Sequence, residues 1–291
     1  MKWIVFAQHG MADTAGKMAA LARGVAPSEA LVVAPELGFW ATFWDLQALV
    51  DRLRVEVEQV WQQYPRQPAR LIATSLGGVV WVELLHRHPD WWPRFESLVW
   101  LGSPLGGSHL AWLWGPIGIA KDLRQSRRPL AETLAARIPT LVVASDMGCG
   151  SDGTVAVGST QIKYAHFVCL RGVSHPALRT HPAVAAAIRQ FWQQPCSPCP
   201  PADTLIQRLI DHFRAVPGIT DTDYAGFSQA KVLLTARDGT TLRTWIHPLG
   251  LEHLFIGDPW GACVYAGFVG WQGAGDLARA VQVAQTQFGL R

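Results

Sequence analysis

Charge is scarce in this chain. Only 16% of its 291 residues are Asp, Glu, Lys or Arg, against 49% hydrophobic. A disordered polymer needs the reverse balance, so that class is excluded. The net charge of +3 comes without the basic stripe that nucleic-acid binders carry, and no nucleic-acid partner is expected. Cysteine is scarce too: Cys149, Cys169, Cys196, Cys199 and Cys263. Cys196-Ser-Pro-Cys199 has no second pair and no nearby histidine, which argues against zinc. Its proline-rich surroundings do not supply the strand and helix that a redox dithiol requires. All five are read as reduced, structural residues. No run reaches about 18 apolar residues, the length of a membrane span. Trp3–Ala7 is too short for the apolar part of a secretory leader. A cytoplasmic protein is therefore expected, with no metal and no cofactor. Tryptophan is what the chain has in excess, 14 residues, and indoles serve cores, greasy binding surfaces and membrane interfaces alike.

One stretch organises the rest. In Arg70-Leu71-Ile72-Ala73-Thr74-Ser75-Leu76-Gly77-Gly78-Val79-Val80-Trp81-Val82 a short apolar run suits a buried strand. Small residues surround Ser75, and a helical spacing of apolar residues follows. Strand, tight turn and helix with a serine at the turn is the geometry of a nucleophile elbow, in which strain holds the hydroxyl out at the strand's carboxyl end. Gly77 meets the demand for close approach there, and Ala73 stands where G-x-S-x-G has its first glycine. By itself the stretch also fits an ordinary turn with Ser75 capping the helix.

Around it, apolar strands alternate with amphipathic helices. Trp3–Ala7, Leu31–Ala34, Leu98–Leu101, Thr140–Ala144 and Phe167–Leu170 read as strands, and Trp44–Trp61 and Pro182–Trp192 as helices. Asp13 or Thr14 is a candidate cap for a helix carrying Met18 and Leu21. This alternation indicates a doubly wound, mostly parallel sheet covered on both faces, an α/β fold. Ligands then bind at the strands' carboxyl ends, where His9-Gly10-Met11, Ser75, Ser103, Asp146 with Asp152, and His175 fall.

On these pieces, residues 1–193 resemble the α/β-hydrolase superfamily, in particular its lipase-like and esterase-like members. The matching motifs are His9-Gly10-Met11, Ala73-Thr74-Ser75-Leu76-Gly77-Gly78, Gly102-Ser103-Pro104-Leu105-Gly106-Gly107-Ser108, Ser151-Asp152-Gly153-Thr154-Val155 and Ser174-His175. Five pieces in family order, each after a strand, are specific where each alone is weak. The resemblance implies Ser75 as nucleophile, His175 as its base and Asp152 as the orienting acid. Asp146 competes with Asp152, and His166 and His181 with His175. The backbone N–H groups of Met11 and Leu76 are the implied oxyanion donors, and His9 shapes its loop.

The segment between Pro104 and Arg137 is where such folds build a pocket or lid. Leu110, Trp112, Leu113, Trp114 and Ile117 are its candidates, followed by Lys121, Arg124, Arg127 and Arg128. Apolar then basic suggests a lid over an acyl pocket touching an anionic membrane. A packed helix pair with a solvated basic face fits equally. The implied substrate is a small-molecule or lipid ester. Acyl transfer on the same residues, or a non-catalytic scaffold with a binding domain, remain alternatives.

Residues 194–202, with four prolines in eight positions, read as a stiff linker. Beyond them, residues 203–291 read as a small α+β domain: a helix over 203–216, a hairpin turning at Asp238-Gly239, strands at 253–256 and 263–269, and a closing helix over 276–288. No motif assigns it a role.

Overall fold

The computed structural model describes residues 3–112, 115, 117–194, 198–248, 250–270 and 273–291. The chain divides into two compact units, Met1–Met147 with Asp152–Pro200, and Gly148–Ser151 with Pro201–Arg291.

The first unit is built on six parallel strands: β1 (Ile4–Gln8), β2 (Leu31–Val33), β3 (Ala69–Thr74), β4 (Phe95–Leu101), β5 (Thr140–Asp146) and β6 (His166–Arg171). They lie in the order β2-β1-β3-β4-β5-β6. Their helices are α1 (Ala15–Val25), α2 (Leu46–Gln63), α3 (Leu76–Arg87), α4 (Ile119–Leu123), α5 (Arg128–Ala135), α6 (Val157–Thr160) and α7 (Pro182–Gln193). Successive strand residues point to opposite faces, and both faces are dry. Ile4 and Phe6 of β1 join one core with α2, α3 and α5, while Val5 and Ala7 join another with α1 and α7. Leu71 and Ile72, and Trp100 and Val99, divide the same way. Two-sided burial explains why these strands read as continuous apolar runs rather than as alternation.

A local signal acts in α2, whose cap Asp45 accepts from the Gln47 N–H at 2.8 Å. None acts at α1. Thr14 makes no capping bond, and Asp13 is paired with Arg179. The acceptor comes instead from Glu36, whose Oε1 lies 2.6 Å from the Ala15 nitrogen. A carboxylate 21 residues away was outside the reach of a local capping rule.

The second unit is a five-stranded antiparallel sheet in the order β7-β11-β10-β9-β8: β7 (Thr220–Asp221), β8 (Lys231–Thr235), β9 (Thr241–Ile246), β10 (Glu252–Gly257) and β11 (Cys263–Val269). α8 (Leu205–Arg214) and α9 (Ala274–Gln287) supply Phe213 and Leu277 to its core with Leu242, Leu254 and Tyr265. Asp238-Gly239 does turn the β8–β9 hairpin, with Gly239 at φ +92°. β7, two residues long, has no periodicity to betray it. Residues 148–151 group with this unit: the Tyr224 N–H donates to the Cys149 carbonyl at 2.6 Å, and a Cβ on Gly150 would meet the Tyr224 ring at 2.7 Å. Cys196 lies outside the described residues. Among the described residues no helix is long and apolar enough to cross a membrane.

Candidate active site

β3 ends at Thr74 and α3 begins at Leu76, leaving Ser75 alone between them at φ +53°, ψ −128°. An L-residue there is strained, and such strain persists only where the surroundings over-determine it. Ser75 N–H is held by the Leu101 carbonyl at 2.9 Å, and its own carbonyl accepts from Gly78 N–H at 3.0 Å. Two glycines admit the neighbouring chain. A Cβ on Gly77 would lie 2.5 Å from the His9 carbonyl oxygen, and one on Gly10 would lie 2.8 Å from Ser75 Cβ. Thus the loop after β1 and the start of α3 press together around the serine.

That loop is rigidly built. His9 is fully buried. Its Nε2 accepts from Leu37 N–H at 3.0 Å, so the ring proton sits on Nδ1, which donates to the Gly10 carbonyl at 2.9 Å. The Glu36 carboxylate, 3.4 Å from Nε2, is then a neighbour with no proton between them. Gln8 Nε2 donates to the Pro35 carbonyl, and Ala12, itself at φ +52°, donates its N–H to Thr42 Oγ1 at 3.0 Å. Met11 lies between these anchors. Among the described residues, neither the Met11 nor the Leu76 backbone N–H is hydrogen-bonded to an acceptor. Leu76 heads a helix, where orphan donors are intrinsic.

Asp152 and His175 are brought together. His175 Nδ1 lies 2.6 Å from Asp152 Oδ2, with Asp152 buried and His175 mostly so. The other carboxylate oxygen, Oδ1, accepts from Thr154 N–H at 2.9 Å and Val155 N–H at 2.7 Å. These two bonds explain the D-G-T-V spacing, with Gly153 at φ +90° making the turn. The His175 N–H donates to the Asp152 carbonyl at 2.9 Å. Asp146 instead ends β5 in register with Arg171. Gly102, at φ +52°, closes the arrangement. A Cβ there would stand 3.0 Å from Asp152 Oδ2 and 3.1 Å from His175 Nδ1. Since Leu101, one residue earlier, holds Ser75 N–H, the serine and the His–Asp pair share one rim of the sheet. No hydrogen bond joins Ser75 Oγ to the His175 ring among the described residues. His166 begins β6, and His181 caps α7 by accepting from Ala183 N–H.

A small, mostly apolar cavity of about 60 Å³ opens beside Ser75, bounded by Met11, Leu76, Leu110, Ala111, Leu123 and Val155. Of the expected pocket residues, Leu110 lines it. Trp112 stacks under the Arg124 guanidinium at 4.6 Å, and Arg124 also donates to the Ala111 and Trp112 carbonyls. Ile117 is exposed, and Leu113 and Trp114 lie outside the described residues. Half of the basic run is not solvated: Lys121 is exposed and Arg124 partly so, but the other two are buried. Arg127 is buried against Glu83 at 2.7 Å, and Arg128 is buried on the Gly158 and Gln161 carbonyls. Sequence reasoning missed Thr42 and Leu37, whose roles depend on contacts about 30 residues away.

No family model and no curated protein matches the sequence. Solved structures do. The Bacillus licheniformis lipase BlEst2 in propeptide form matches at 13% identity and TM-score 0.53, over 92% of this chain and 71% of that one. The phospholipase PlaB of Legionella pneumophila matches at 16% and 0.50, over 67% and 60%. A metagenomic carboxyl esterase matches at 14% and 0.50, over 66% and 76%. At such identities the likeness is of fold: an α/β-hydrolase fold of the lipase and esterase type.

Proposed function

We propose that the protein is a serine hydrolase of carboxylic esters. The observation that carries this reading is the 2.6 Å His175–Asp152 bond at the rim where Ser75 is held at φ +53°. With Nδ1–H given to Asp152, the basic nitrogen of His175 is Nε2. Nε2 takes the proton from Ser75 Oγ as that oxygen attacks the ester carbonyl, and Asp152 stabilises the imidazolium. The carbonyl oxygen, now an anion, is received by the Met11 and Leu76 N–H groups, which have no other acceptor among the described residues. Collapse expels the alcohol, which takes the proton back from Nε2. Water then repeats the sequence on the acyl-serine, no cofactor entering at any step.

The mostly apolar lining of the cavity beside Ser75 suits the acyl part of an ester. The neighbours named as a lipase, a phospholipase and a carboxyl esterase support ester chemistry on this fold. The test is kinetic. Asp152→Asn removes the acceptor that fixes the His175 tautomer and should lower kcat on p-nitrophenyl butyrate by roughly 10³–10⁴-fold. Asp146→Asn should change it less than threefold. The reverse ranking would reject the assignment.

A further inference from the structure

Asp13 and Arg179 form an ion pair across 166 residues of chain, Asp13 Oδ2 accepting from Arg179 Nη1. Each side chain is only 14% exposed. Asp13 stands two residues after Met11, the proposed oxyanion donor, in the loop that follows β1. Arg179 closes a short 3-10 helix, His175–Arg179, that begins with the proposed base. The pair thus joins the two loops that contribute opposite halves of the candidate site.

Both ends of the pair are anchored. An aspartate just before a helix ordinarily caps it. Here Glu36 takes the Ala15 N–H at 2.6 Å, and the Asp13 carboxylate is turned to Arg179 instead. One residue earlier, Ala12 at φ +52° gives its N–H to the buried Thr42 Oγ1 at 3.0 Å. The Gly10 carbonyl is held by His9 Nδ1 at 2.9 Å. That carbonyl and the Met11 N–H belong to one planar trans peptide, so fixing the first aims the second the opposite way. On the other side, Arg179 folds back on its own turn, Nε donating to the Pro176 carbonyl at 3.2 Å. Leu178, fully buried, seats that turn on the sheet rim, its Cδ1 2.8 Å from where a Cβ on Gly102 would stand. One rigid guanidinium fork therefore holds both the neighbour of His175 and the loop of Met11.

We propose that Asp13 and Arg179 are positioning residues, a latch that holds the oxyanion loop and the His175 turn at the separation the transition state requires. Neither touches the reacting atoms. In the tetrahedral intermediate the oxyanion sits on the Met11 N–H while the proton sits on His175, so both loops must be in place at once. A shift of about 1 Å between such groups can cost on the order of a hundredfold in rate. The catalytic consequence rests on the ester-hydrolase reading; the mechanical link between the loops does not.

Asp13→Asn and Arg179→Gln, singly and together in the full chain, test the latch. Each single variant should lower kcat on p-nitrophenyl butyrate at least tenfold per titrated site, with KM within twofold of the parent. The double variant should fall no more than threefold below the worse single one, where independent lesions would multiply to a hundredfold or more. The link itself is read without catalysis, by amide hydrogen exchange on the loop that each substitution does not occupy. Asp13→Asn should speed exchange at least tenfold at Ala177, whose N–H is bonded to the Ser174 carbonyl at 2.9 Å. Arg179→Gln should do the same at Ala12. Exchange unchanged across the pair, losses of kcat that multiply, or a rise in KM with kcat held would each overturn the proposal. A parent that hydrolyses no ester while these cross-effects on exchange appear would count against the catalytic reading alone.

Discussion

Gly102 shows how much a single residue contributes here. It is one of the few positions where both the backbone and the space demand glycine: φ is +52°, and the pro-chiral face looks onto the His175–Asp152 bond. Gly102→Ala should therefore lower kcat on p-nitrophenyl butyrate by more than tenfold with little change in KM, because it misplaces the pair proposed to act in the transition state. Unaltered kinetics would show that the pair tolerates displacement. The G-S-P-x-x-G-S motif was legible in the sequence, but its reason was not. The glycine answers to side chains 50 and 73 residues later, and sequence spacing says nothing of that. Asp152 was legible because D-G-x-V encodes a local turn, and its two backbone donors lie within three residues. Thr42 was not, since its partner Ala12 carries no signal.

At the scale of elements, the segment after β4 was read in two ways, one putting its basic residues against an anionic membrane and the other in solvent. Arg127 and Arg128 are buried instead. Arg127 joins Glu83 of α3 and accepts no substitute easily, as it also donates to the Asp122 and Gln125 carbonyls. These bonds fix the segment that walls the cavity onto the elbow helix. Arg127→Ala would leave Glu83 only the longer contact with Arg87, at 3.5 Å, a loss of about 2 kcal/mol, seen as a lower urea midpoint. A midpoint within error of the parent would mean that water replaces the guanidinium at no cost. Strands and helices themselves were legible because their apolar periods are long. β4 begins three residues before expectation, across a register shift that skips Glu96, and β5 ends two residues beyond it, where Asp146 pairs with Arg171.

The whole molecule has two units with separate hydrophobic cores. Phe213, fully buried in the second, offers a clean lesion: Phe213→Ala should cost that core about 3–5 kcal/mol. Two urea transitions are expected, with only the one belonging to residues 201–291 shifted, as followed by hydrogen exchange of β10 and β11. A common shift of all amides would mean one cooperative unit. The proline-rich run suggested the division near residue 200, but nothing in the sequence assigns 148–151 to the second unit. Tyr224 does so from more than 70 residues away.

The proposed chemistry depends above all on an activated Ser75. Reaction with a fluorophosphonate probe, read by intact mass and peptide mapping, tests it most directly. One adduct per chain is expected, on Ser75, absent from Ser75→Ala and slowed at least a hundredfold in His175→Ala. A folded parent that takes up no probe, or carries it on another residue, would contradict it.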